Sequence, residues 1–226
     1  MKLLEKQGWH LVVLLLLLIG VYYYIQLDQT FLTGSLWNID TKVWLTLALG
    51  IPIVHQVYVL FCWRLELHYK LLSKTFGKNA FKIYAFGFFV LFVSRIVFII
   101  FLADSNKDTF QINPILKYTI LFFISVLAVY AFYSVKVYFG MDRAAGLDHF
   151  ELEIRKLQFI NKGIFKYTNN GMYIYAFLII YVPSFLYQSK SAFIVAVFSH
   201  LYIWVHYYCT ELPDIKIIYR NVESKN

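Results

Sequence analysis

Between Ser199 and Asp214 the chain reads SHLYIWVHYYCTELPD, a greasy aromatic run that carries His200, His206, Cys209 and Glu211. A carboxylate and an imidazole near one another can take a proton from an amine before it attacks, the ordinary work of a general base. Glu211 and His206 are five residues apart, about 140° around an ideal helix. They converge only if the helix ends or bends first. Pro213 disfavours helical geometry at Leu212, so the helix is expected to stop there. An acid near a helix C-terminus also sits at the unfavourable end of the macrodipole, which favours a functional reading for Glu211. His200 lies deeper, either as a ligand-binding group or as an interhelical hydrogen bond.

A second polar piece, GIFKYTNNGMY (Gly163–Tyr173), combines two glycines, two asparagines, one lysine and two tyrosines just before an apolar run. Irregular polar backbone does not suit the bilayer core, so this piece belongs at a surface, where it can line a cavity open to water. Lys166 is placed to hold an anionic group, or simply marks the end of a span. Asn169 and Asn170 either bind or cap the next helix. Three more groups lie inside apolar runs: His55, Gln56 and Arg95. A contact of Arg95 with His55 or Gln56 would be structural, whereas an arginine reaching a lipid phosphate would be functional. Asp148–His149, with Asp142 nearby, admits a metal or acid–base reading, but capping and surface polarity at a helix start are the expectation. Cys62 and Cys209 lie in or beside apolar runs, which argues against a disulfide framework and against a zinc site.

The elements that must position these groups are membrane helices. The 226 residues are 60% hydrophobic, 20% aromatic and only 15% charged, and the charges are bunched between long apolar stretches. Net charge is +8, but it follows the loops rather than one soluble face, which argues against a nucleic-acid partner. Six spans are predicted, near 9–27, 42–64, 80–103, 114–139, 170–187 and 191–209. The fold class is therefore all-α, a polytopic bundle that ends in a helical hairpin. No cleavage site follows the first run, which reads as a retained helix. With the N-terminus inside, the inner segments hold fifteen lysines and arginines and the outer ones four, Lys42, Lys107, Lys117 and Lys190. That asymmetry gives both termini inside. The linker GLDHFELEIRKLQFI spaces Leu147, Phe150, Ile154 and Leu157 like an amphipathic interfacial helix. The organisation expected is a four-span region, 1–140, followed by 141–226 with the linker, hairpin and tail.

The order of these pieces resembles a family of integral-membrane methyltransferases that includes phosphatidylethanolamine N-methyltransferase and isoprenylcysteine carboxyl methyltransferase. Members carry a segment like G-[IL]-Y-R-Y-x-R-H-P-M-Y ahead of a helical hairpin. Gly163, Lys166, Tyr167 and Met172–Tyr173 match it without a gap. Thr210–Glu211 falls where the family has paired acids, His206 where it has an arginine, and Tyr219 near its terminal tyrosine. Asn169-Asn170-Gly171 stands where the family has Arg-His-Pro. The resemblance covers roughly the last 65 residues. It implies S-adenosylmethionine as cofactor, held on the cytoplasmic side of an inner membrane or endomembrane. The residues implied are Lys166, Tyr167, Asn169, Asn170, Gly171, Tyr173, His200 and Tyr202, with Trp204 and Tyr207 as further aromatic walls. It also implies a membrane-embedded acceptor, a phospholipid amine first, with Glu211 and His206 as catalytic residues. Two alternatives stay open: a sterol-reductase-like enzyme using NADPH, which has a similar hairpin, and a transporter or scaffold that has lost the chemistry.

Overall fold

The structure, a computed structural model, describes residues 2–157 and 160–219. Two of the basic residues counted inside, Arg220 and Lys225, lie outside them. Helix α1 (Gln7–Leu27) leads to a short hairpin of β1 (Ser35–Leu36) and β2 (Ile39–Asp40). There Trp37 and Asn38 take left-handed backbone angles, as a two-residue hairpin turn requires. Then come α2 (Thr41–Tyr69), short α3 (Leu71–Phe76), α4 (Ala80–Ser105) and α5 (Pro114–Ser134), the last extended by a π turn over Val135–Phe139. Among its described residues the linker holds only α6 (Met141–Ala144) and isolated 3-10 turns. The chain closes with α7 (Gly171–Ile174), α8 (Val182–Leu186), α9 (Lys190–His206), a π turn at Tyr207–Glu211, and α10 (Leu212–Ile218).

The result is an all-α bundle. Five of its helical stretches are long and apolar enough to cross a membrane: 7–27, 41–69, 71–105, 114–139 and 190–218. Their outward faces are apolar. Trp9, Phe86 and Ile115 are each at least 70% exposed, a surface that suits lipid rather than water. The core packs α1, α2, α4 and α9 around Val21, Trp44, Leu102 and Phe198.

The fifth predicted span, 170–187, is not one α-helix. Its middle, Ala176–Tyr181, tightens into 3-10 geometry before Pro183 opens α8. Proline cannot donate to the carbonyl four residues back. The tighter winding rises faster, so residues 171–186 still cover about 27 Å.

The loops sort into two groups at opposite ends of the bundle. At one end Thr41, Asn106, Ser189 and Ser191 stitch the 28–40 hairpin to the α4–α5 and α8–α9 turns. At the other, the N-terminus, the end of α2, the 141–157 linker and the tail converge. The candidate residues lie from this second end inward.

Candidate functional site

The expected stop at Pro213 does not occur: helical structure continues to Ile218. In an unbroken α-helix the N–H of residue 213 would bond the carbonyl of Cys209, and proline has no N–H to give. The π turn at 207–211 absorbs the misfit. The freed Cys209 carbonyl instead accepts from Arg64 Nη2 at 3.0 Å and from Gln7 Nε2 at 3.0 Å. The proline thus turns the end of the last helix into a docking point for α1 and α2.

On that widened turn Glu211 meets the polar loop. The Tyr173 hydroxyl donates to the Glu211 carboxylate. The Tyr173 ring lies edge-on to Trp204 and Tyr207, with centroids 5.9 and 5.7 Å away. His200 Nε2 donates to the Tyr173 backbone carbonyl at 2.8 Å, taking up an acceptor where α7 gives way to the 3-10 run. Loop and tail are therefore joined by Tyr173, His200 and Glu211.

The other candidate residues scatter. Lys166, Tyr167 and Asn169 are exposed, and Tyr167 is 72% open. Asn170 is half-buried, and its carbonyl accepts the first α7 bond, from Ile174. Gly171 is buried so tightly that a Cβ there would stand 2.7 Å from Ile164. Tyr202 is fully buried in the core, with its hydroxyl 2.9 Å from His10 Nε2. His206 does not pair with Glu211. It faces His10 and Trp63, with ring centroids 6.5 and 5.7 Å away, and its Nδ1 has no hydrogen-bond partner.

Behind Tyr173 lies a cavity of about 130 Å³, where an enclosed water needs about 10–15 Å³. Residues of α2, α4, α5, the linker, the 172–180 segment and α9 line it, Tyr173 and His206 among them. The lining is mostly apolar, yet among the described residues Gln56 Nε2, Arg95 Nη2, His206 Nδ1 and both ring nitrogens of His55 are buried there without partners. Neither expected contact of Arg95, with His55 or with Gln56, forms a hydrogen bond. Its guanidinium lies 5.1 Å from the centre of the Phe177 ring.

The linker overturns the expectation of an amphipathic helix. Over 147–157 only Leu147–His149 and Ile154–Lys156 make 3-10 turns. Arg155 donates to the carbonyls of Asp148 (2.7 Å) and His149 (3.0 Å), acceptors that a helix would use internally. His149 is not surface polarity either: it is 1% exposed and stacks on Trp63 with centroids 4.2 Å apart. Its Nδ1 is 3.1 Å from Asp148 and its Nε2 is 3.6 Å from Asp214. Burial pulls the imidazole down, but Asp148 and Asp214 outweigh it and hold it at about 8. Burial likewise pushes Asp148 up, and the bond from His149 holds it below the usual carboxylate value. Arg64, 1% exposed, donates to Asp214 at 3.3 Å and to the Leu3 and Glu5 carbonyls at 2.8 Å. Tyr219 closes the network, donating to Asp148 at 3.1 Å and accepting from Arg143 at 3.3 Å. Among the described residues no group of three potential ligands could hold a metal ion.

Sequence reasoning missed Arg64, Asp214 and the burial of His149. Asp214 directly follows Pro213, and Arg64 is the charge closest to the end of a long apolar run. Those positions were the available signal.

Fold and site together define an all-α bundle with apolar, membrane-compatible helices and a polar network closing one end. Comparison of the chain with protein-family models, with curated proteins and with solved structures finds no match.

Proposed function

We propose that the protein is an integral-membrane methyltransferase that moves a methyl group from S-adenosylmethionine to a membrane-embedded acceptor, a phospholipid amine first. The observation that carries this reading is the junction at Tyr173. One side chain of the polar loop both binds Glu211 of the tail and lines the cavity shared with His206. In this reading six segments cross the bilayer. In the same reading the end of the bundle that holds the junction faces the cytosol, which the fifteen-to-four distribution of basic residues supports.

The residues present fit the cofactor. Glu211 is a carboxylate bonded by Tyr173, whose ring packs against that of Tyr207, and a cation gains from both a counter-charge and an aromatic face. Glu211, Tyr173, Trp204 and Tyr207 would hold it, with the exposed Lys166 near the entrance. The cofactor supplies an electrophilic methyl on a sulfonium.

The chain's own residues then have separate tasks. An ammonium acceptor must lose a proton before its lone pair can attack. His206, facing the cavity with Nδ1 unpartnered, is placed to take that proton. Glu211 and His206 therefore act at different places rather than as a pair. The apolar cavity walls exclude water and orient the acceptor.

The test is equilibrium binding of S-adenosylhomocysteine to the detergent-solubilised chain. Saturable binding that falls at least tenfold in Glu211→Gln is expected. Binding of NADPH in its place, or of neither, would overturn the reading.

A further inference from the structure

Among the described residues Arg95 is a cation with no anionic partner. It is buried, its ring contact is Phe177, and no salt bridge there includes it. An arginine stays protonated in a protein, so its charge persists however deep it lies. An unpaired charge at this depth is expensive, and polar groups inside apolar spans mark ligand paths by default. Among the described residues Gln56 Nε2, a donor, both nitrogens of His55 and Nδ1 of His206 are also unpartnered in the same cavity. The guanidinium can only donate and the Gln56 amide can donate through Nε2, so together they suit an oxyanion; the histidines can donate or accept according to tautomer.

The rest of the wall says what the oxyanion is attached to. Apart from those groups the lining is aliphatic and aromatic. Phe92 of α4 and Phe132 of α5, with ring centroids 6.5 Å apart, are half-exposed and line the cavity at the same time. Their T-shaped contact closes the cavity toward the lipid-facing side of the bundle, so an acyl chain would enter by parting the two rings.

We infer that this cavity binds a lipid by the anionic group of its headgroup, with Arg95 as the counter-charge, Gln56 as a hydrogen-bond donor and the Phe92–Phe132 ring pair parting to admit the chain. The inference rests on the methyltransferase reading only for the lipid's role as acceptor. It places the lipid's anion below Tyr173, so that an amine on the same headgroup would lie toward His206 and Glu211.

The experiment is native mass spectrometry of the full chain, delipidated in a non-ionic detergent. The added probes are phosphatidylethanolamine, oleate, dioleoylglycerol or inorganic phosphate. Expected is saturable binding of phosphatidylethanolamine, at least tenfold weaker for dioleoylglycerol, which has the tails without the anion. Arg95→Gln should weaken phosphatidylethanolamine binding at least tenfold, and Arg95→Lys should retain it within about threefold. Arg95-dependent binding of oleate alone would also support the site, with a carboxylate as the anion. Binding of inorganic phosphate but of neither lipid would overturn it, as would equal binding of phosphatidylethanolamine and dioleoylglycerol. The wild-type comparison decides the matter even if a variant fails to fold. Arg95-dependent lipid binding without S-adenosylhomocysteine binding would keep this site and remove the function proposed above. S-adenosylhomocysteine binding with lipid binding indifferent to the headgroup would do the reverse.

Discussion

Replacing Arg64 by leucine should unfold the closed end of the bundle before any other single change there. The guanidinium satisfies the Asp214 carboxylate and the carbonyls of Leu3, Glu5 and Cys209. Removing one partner of a buried ion pair costs about 3–5 kcal/mol. The N-terminal segment can turn its two carbonyls to water, and the Cys209 carbonyl keeps its bond from Gln7 Nε2, so the stranded Asp214 carboxylate dominates the cost. Arg64→Leu should therefore lose roughly 3–5 kcal/mol. Asp214→Asn should lose less, about 2–3 kcal/mol, because Arg64 keeps three carbonyls and His149 keeps Asp148. The assay is unfolding in mixed micelles of rising SDS fraction, followed by tryptophan fluorescence, since Trp63 stacks directly on His149. A loss below about 1 kcal/mol for Arg64→Leu, or a larger loss for Asp214→Asn, would refute the view that Arg64 organises this end.

Three further outcomes follow from the same geometry. His149 is held at about 8 against an ordinary 6.5, so its contribution, about 2 kcal/mol, is full below pH 6.5 and lost as pH rises through 8. Asp148, held low, contributes above its ordinary value of 3.8 and loses that below it. The linker should be most stable between about pH 4 and 6.5, and an unfolding midpoint that is flat from pH 6 to 9 would contradict this. Gly146 has φ +91° and a Cβ there would stand 2.5 Å from the Trp63 indole, so Gly146→Ala should cost about 2–4 kcal/mol in the same denaturation assay. Tyr173→Phe removes the donor to Glu211 and should weaken S-adenosylhomocysteine binding roughly tenfold, about 1.4 kcal/mol by titration, while the fold persists.

Helix existence was legible because apolar run length against bilayer thickness is a strong, local signal. The long helices begin and end near where the runs of leucine, phenylalanine and valine do. Tyr173 and Glu211 were legible as parts of two polar pieces that interrupt such runs. Their direct contact depends on the π turn, which arises because Pro213 leaves the Cys209 carbonyl free; a sequence period cannot show that. The 147–157 linker misled for a related reason. Its apolar spacing is helical, but Arg155 captures the carbonyls of Asp148 and His149 while Trp63, far away in sequence, covers the imidazole. The pairing of Glu211 with His206 failed because 140° of helix was not undone by a break at Leu212. Arg95 was visible as an anomaly within an apolar span, whereas its lack of a partner is a fact of three-dimensional packing.

The decisive experiment is methyl transfer itself. The full chain, reconstituted in phosphatidylethanolamine-containing vesicles, is given S-adenosylmethionine labelled on its methyl group, and the organic-extractable label is followed over time. Label should accumulate in lipid headgroups and fall at least tenfold in rate with Glu211→Gln. A folded chain that leaves all the label in water would contradict the proposed activity toward this lipid, and if it also fails to bind S-adenosylhomocysteine, the junction of Tyr173 and Glu211 is not a methyl-transfer site.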